Sequence, residues 1–250
     1  MPDRLAVVTG TSSGIGAALA AQLLRHGWEV AGVARRKPAI EDSHYRHLAI
    51  DLQDVPAAVA SIDSAIGAIL RERAWQRVAL VNNAASAAAL GPVQSLDAQA
   101  LARLYAVNVI MPIWLMGFVT QRSPRSAQVR IVNLSSGAAV RAFPGLAAYC
   151  SSKAALRMAG MVLAAELDSP LRPADAPEQL AILSYEPGVV DTEMQLATRS
   201  TSRADFPWVG TFQDFAAQGA LVAPEIPAAE IVEFLESDAC ARFSERRRGA

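Results

Sequence analysis

Tyr149 and Lys153 stand four residues apart in the stretch AAYCSSKAAL, residues 147–156. On a helix that spacing places both side chains on one face. Neither is a usual acid at neutral pH, since a phenol in water loses its proton near pH ~10. A neighbouring ammonium favours the phenolate and lowers that value. A tyrosine so placed comes within reach of both donating and recovering a proton. Small residues on either side leave room around the pair. Upstream, Ser136 offers a hydroxyl able to donate a hydrogen bond to a developing oxyanion. Each residue alone also has an ordinary reading. Many helices carry a Tyr and a Lys at this spacing, and a serine at a strand end is a common turn residue.

A second chemical signal lies near the N-terminus, in VVTGTSSGIG, residues 7–16. Gly10, Gly14 and Gly16 follow an apolar run and open a helical stretch. Glycine permits a tight turn and lets the backbone approach a ligand closely. A helix N-terminus then presents free N–H groups and positive dipole potential, which suit a pyrophosphate. The G-x-x-x-G-x-G spacing differs from the G-x-G-x-x-G dinucleotide fingerprint.

These groups need a scaffold, and the hydrophobic pattern predicts one. Short apolar runs read as strands at 5–9, 29–34, 47–51, 77–83, 127–136 and 179–188. Helical stretches lie between them: GAALAAQLLRHG closed by Gly27, then 55–73, 97–119 with Pro112 as an expected kink, and 147–167. Alternating strands and helices indicate βαβ units, hence a doubly wound, Rossmann-type α/β fold: one domain over 1–250, a parallel sheet with helices on both faces. Residues 191–224 read as irregular, an excursion long enough to serve as a substrate lid. A last strand near 241–243 is too short to assign.

Composition narrows the classes. The chain has 250 residues, 52% hydrophobic and 19% charged, enough for one sizeable core. A net charge of −1 gives no reason to expect a nucleic-acid or membrane partner. The terminal ERRRGA reads as a solvated tail. Cys150 and Cys240 form no CxxC pair, and His26, His44 and His47 lack metal-ligand spacing, so no metal is expected. No basic n-region with a cleavage site opens the chain, and no apolar run approaches the ~18–20 residues of a membrane span. A cytoplasmic location is the expectation.

Six motifs occur in order: TGTSSGIG at 9–16, NNAA at 82–85, VNV at 107–109, NLSS at 133–136, YCSSK at 149–153 and PGVVDT at 187–192. Together they resemble the short-chain dehydrogenase/reductase family over nearly the whole chain. Ala85 departs from the commoner NNAG. The resemblance implies a catalytic set of Ser136, Tyr149, Lys153 and Asn108, with Asn108 holding a water that links Lys153 to solvent. It implies a nicotinamide dinucleotide on Gly10, Ser12, Ser13, Gly14, Ile15 and Gly16. Further contacts fall to Asp51 and Leu52 at the adenine, to Asn83 and Ala84 near the adenosine ribose, and to Tyr149 and Lys153 at the nicotinamide ribose. The resemblance also places Val190 and Thr192 around the nicotinamide carboxamide, with Pro187 and Met194 as further cofactor contacts. Gly188 borders the substrate, alongside Ser136 and Tyr149.

The second strand helps choose the cofactor. An NAD site usually has an acidic residue after it, bonding the ribose 2′-hydroxyl. Here Ala34 takes that place and Arg35 and Arg36 follow. Guanidinium groups pair with a 2′-phosphate through charge-assisted bonds, which favours NADPH. Two solvated arginines on an ordinary turn are the alternative.

Residues 133–155 and 185–202 are most similar to the sepiapterin reductase and benzil reductase branch, which implies reduction of one carbonyl of a vicinal dicarbonyl. Sepiapterin reductases anchor the pterin with an aspartate near the C-terminus. Here no Asp follows Asp238, and Glu245 is the nearest acid. That favours an apolar diketone, with Phe143, Leu146, Trp208 and Phe212 as candidate walls or as plain core. Cys150 is expected on a different helix face from Tyr149. Other readings are a 3-oxoacyl or other ketone reductase of the same family, or a non-catalytic nicotinamide-binding protein. The resemblance also implies a homodimer or homotetramer paired through helices 97–119 and 147–167.

Overall fold

The computed structural model describes residues 3–238 and 241–249. Its centre is a sheet whose strands are buried on both faces. In β1 (Arg4–Thr9), Leu5 and Val7 face one layer while Ala6 and Val8 face the other. Such two-sided burial calls for continuous apolar runs rather than alternation. The same pattern recurs in β2 (Glu29–Ala34), β4 (Arg77–Asn82), β5 (Gln128–Leu134) and β6 (Gln179–Glu186). With β3 (Tyr45–Ala49) and β7 (Phe243–Arg247) they form seven parallel strands in the order β3-β2-β1-β4-β5-β6-β7.

One face is covered by α2 (Val55–Arg71), α4 (Met111–Arg122) and α5 (Ala147–Leu167), through residues such as Ile62, Ile66, Leu115, Val119 and Leu156. The other is covered by α1 (Gly14–Arg25) and α8 (Glu225–Glu236), through Leu19, Leu23, Ile231 and Leu235. Gly27, at φ +75°, ends α1 as expected. The Trp28 N–H donates to the Leu23 carbonyl and the Gly27 N–H to that of Leu24, a left-handed helix stop.

The strand order reverses between β1 and β4. Connections leave these neighbours in opposite directions, opening a crevice at their carboxyl ends where such sheets bind ligands. Every residue with candidate chemistry lies at that edge or on the elements bordering it.

The structure corrects several boundaries. The long helix is α3 (Ala98–Tyr105), a π turn at Ala106–Ile110, and then α4. The irregularity therefore precedes Pro112, which sits in the first turn of α4 where a missing N–H is tolerated. Residues 191–224 are not irregular: they contain α6 (Glu193–Arg199) and α7 (Val209–Ala217), each too short for a clear period. The last strand is real and runs to Arg247, its edge position allowing charged residues that conceal it in the sequence. Helical residues 98–122 are also long and apolar enough to cross a membrane, at mean hydropathy 1.5, contrary to expectation. Met111, Leu115, Phe118 and Val119 instead bury that apolar character under the sheet. Cys240 lies outside the described residues.

Candidate active site

α5 carries Tyr149 and Lys153 on one face, as the spacing predicts. The Lys153 ammonium lies 5.6 Å from the centroid of the Tyr149 ring and donates to the Leu134 carbonyl at 2.7 Å. Leu134 ends β5, so this bond locks α5 to the sheet edge at the reacting centre. Ser136 follows β5 and opens a short 3₁₀ turn, Gly137–Ala139, its hydroxyl accepting from the Ala138 N–H at 3.2 Å. The same hydroxyl is near enough to the Tyr149 phenol to favour its ionised form. Serine, tyrosine and lysine are thus brought together.

Their titration departs from the expectation raised by spacing alone. Burial pushes Tyr149 up to about 12, outweighing the lowering effect of the Ser136 hydroxyl, and Cys150 adds to the rise. Burial also lowers Lys153, to about 8. The expected depression of the phenol by the ammonium is absent in the protein alone, because desolvation dominates both groups and Lys153 directs a proton at a backbone carbonyl. The phenol is therefore a firmly protonated donor across the physiological range.

Asn108 is 1% exposed in the π turn. Its amide oxygen accepts from the Ser86 N–H at 2.7 Å, and its nitrogen donates to the Ser86 carbonyl at 2.8 Å and to the Ser152 hydroxyl at 3.1 Å. The side chain thus clasps the loop after β4 to α5. Pro112, one turn later, has no N–H for the Asn108 carbonyl. Ser86 and Ser152 were missed in the sequence, where small serines beside stronger motifs give no signal.

The phosphate turn is built from the glycines. Gly10 and Gly14 have φ of +76° and +56°. A Cβ on Gly16 would stand 2.1 Å from the Gly10 carbonyl oxygen and 2.5 Å from the Asn83 amide nitrogen, so only glycine fits. That Asn83 nitrogen donates to the Thr9 carbonyl at 2.8 Å and the Gly10 carbonyl at 3.2 Å, and the Thr9 hydroxyl accepts from the Asn83 and Ala84 N–H groups. Asn83 thereby ties β4 to the turn, a positioning task. Thr11, fully buried, meets the Tyr45 hydroxyl at 2.9 Å and pins the turn from β3. Ser13 caps α1 without a side-chain bond, leaving the first N–H groups of the helix free of a side-chain acceptor. Ser12 and Ile15 flank it, half-buried. This tight cradle with a free helix start fits a dinucleotide pyrophosphate.

The remaining candidates lie around it. Arg35 and Arg36 are exposed just past β2, with Arg36 bonded to Glu193 at 2.8 Å. Asp51 is exposed, accepting from the Gln53 N–H, while Leu52 is buried. After β6, Pro187 and Gly188 lead into α6. Gly188 has φ +79° and open space around it. Val190 is buried and bridges Val222, Thr192 caps α6, and Met194 is half-buried within it.

Above the phenol lies an apolar cluster. Leu146, Phe206 and Val209 are buried, and Phe143, Tyr149, Cys150 and Phe212 pack against them. Phe143 and Trp208 meet edge-on at 6.1 Å. Cys150 and Tyr149, neighbours on α5, both pack against this cluster, where the loop after β5 and α7 close over the start of the helix.

The crevice at the strand-order reversal, with its glycine turn and Ser–Tyr–Lys centre, defines a nicotinamide-binding oxidoreductase acting on CH–OH or C=O groups. The family model of short chain dehydrogenases matches residues 4–203, and the chain belongs to that family. A benzil reductase ((S)-benzoin forming) of Bacillus subtilis is 31% identical, covering 93% of each chain. Sepiapterin reductase of Mus musculus is 31% identical over 93% of this chain and 91% of its own. The crystal structure of a short-chain dehydrogenase/reductase from Burkholderia vietnamiensis superposes at TM-score 0.67 with 30% identity, covering 81% of this chain and 94% of that one.

Proposed function

We propose that this protein is an NADPH-dependent reductase of one carbonyl of an apolar vicinal diketone. The observation that carries this reading is the apolar wall of Phe143, Trp208 and Phe212, backed by the buried Leu146 and Phe206, on the Tyr149 side of the centre. Burying an aryl ring against such a wall is favourable by about 25 cal/mol per Å² of apolar area. A pterin, by contrast, presents a donor-rich polar edge. Glu245, the nearest acid to the C-terminus, is engaged by Arg157 through two bonds of 2.6 and 2.7 Å, which opposes a role as pterin anchor. The similarity to benzil reductase supports the same substrate class.

When bound, the reduced nicotinamide supplies a hydride to the carbonyl carbon. The chain supplies the rest. Ser136 donates a hydrogen bond to the carbonyl oxygen as negative charge develops there. The Tyr149 hydroxyl gives that oxygen its proton. Lys153 holds positive charge beside the phenol and stabilises the phenolate left behind. Asn108 fixes the spacing between α5 and the loop after β4. Arg35 and Arg36 select the 2′-phosphate. Gly188 leaves room for substrate, and the 191–224 segment covers it.

The protein also pairs with itself in this reading. Ile110, Ile113, Met158 and Val162 are exposed on the outer faces of α4, its preceding turn and α5, a cluster suited to a homodimer.

Rates of NADPH and NADH consumption with benzil, sepiapterin and an acyl thioester test the reading. It expects benzil with NADPH to be fastest. Faster turnover of sepiapterin, of the thioester, or with NADH would overturn the corresponding part.

A further inference from the structure

The start of α6 meets the cofactor edge at two places. Thr192 Cγ2 lies 3.0 Å from where a Cβ on Gly14 would stand. One residue on, the Glu193 carboxylate accepts from Arg36 Nη2 at 2.8 Å, joining positions 157 residues apart in sequence. Arg36 is one of the two arginines assigned to the 2′-phosphate, so a role for this ion pair in cofactor binding rests on that NADPH reading.

We propose that Glu193 competes with the 2′-phosphate for Arg36, so that this acid on α6 sets how tightly the phosphorylated cofactor is held. A guanidinium fork satisfies a carboxylate or a phosphate with the same N–H groups. A phosphate arriving at Arg36 must therefore displace Glu193 or share the guanidinium with it. Sharing places two anions side by side, which repels. Both partners are largely exposed, at 68% and 65%, so the resident pair is weak enough for a dianion to displace. The competition tempers affinity without abolishing it. It also places the release of an acid on α6, in the segment that carries Trp208 and Phe212, at the moment the phosphate binds.

Asp191 provides the control. It is an acid of similar exposure two residues away, and its carboxylate lies 3.8 Å from Arg199 instead of pairing with Arg36. Calorimetric titration with 2′,5′-ADP and with 5′-AMP separates the phosphate from the rest of the nucleotide. Glu193→Gln is expected to tighten 2′,5′-ADP about two- to fivefold, with 5′-AMP unchanged. Asp191→Asn, carrying the same change in charge, is expected to alter neither. In an Arg36→Ala background the gain from Glu193→Gln is expected to vanish. Unchanged or weaker 2′,5′-ADP binding in Glu193→Gln overturns the proposal. So does an equal gain in the Arg36→Ala background, or one from Asp191→Asn, because bulk charge alone then explains it. A wild-type preference for 2′,5′-ADP that Glu193→Gln leaves untouched removes only the competition. No preference in either protein removes the NADPH reading as well.

Discussion

Lys153 is held at about 8 by burial while Tyr149 rises to about 12, so the two groups separate rather than converge. Over most of the working range the phenol keeps its proton, and the lysine is the group whose charge changes. Lys153 is an ammonium below about 8 and loses its proton as pH rises through that value. The reductive kcat/KM, which reports the free enzyme, is therefore expected to be level below pH ~8 and to fall above it. A pH profile checks this, and a decline beginning only near pH ~10, the ordinary range of a solvated amine, would place the titrating group elsewhere. The proposed catalytic residues were legible because their chemistry demands fixed types at fixed spacing: a phenol and an ammonium one turn apart, with a hydroxyl just past the preceding strand. Their energetics were not legible, because desolvation depends on what α7 and the loop after β5 place above them.

Among elements, the turn between β1 and α1 is tightly constrained. A methyl on Gly16 collides with the Gly10 carbonyl oxygen and the Asn83 amide, both parts of the cradle itself. Overpacking of this kind costs about 1–3 kcal/mol. Gly16→Ala is therefore expected to weaken 2′,5′-ADP binding roughly tenfold and to lower the midpoint of denaturant unfolding; calorimetry and a urea titration measure the two effects. Unaltered binding would show that the turn is not the nucleotide seat. The glycine spacing, the buried strands and α5 were readable because apolar runs and helix periodicity leave strong patterns. The π turn was not, since five residues with ordinary helix composition differ from an α turn only in which carbonyl each N–H finds. α6 and α7 were hidden by brevity, and β7 by the arginines an edge strand tolerates.

At the scale of the whole molecule, the proposed function gives different tasks to two apolar surfaces. Ile110, Ile113, Met158 and Val162 lie outside the α4–α5 layer, away from the crevice. Lysines at Ile113 and Val162 together are expected to convert a dimer to a monomer in sedimentation velocity; an unchanged sedimentation coefficient would place the association elsewhere. The second surface, around Phe143 and Trp208, is the one proposed for the substrate. The proposed reaction depends above all on whether the phenol beneath that surface delivers the proton to a reduced diketone. NADPH consumption with benzil, followed in the wild-type protein and in Tyr149→Phe alongside NADPH binding by fluorescence, tests this most directly. The expected result is a loss of turnover of about 10²–10⁴-fold with NADPH binding retained. Undiminished turnover in Tyr149→Phe would contradict the assignment of Tyr149 as proton donor.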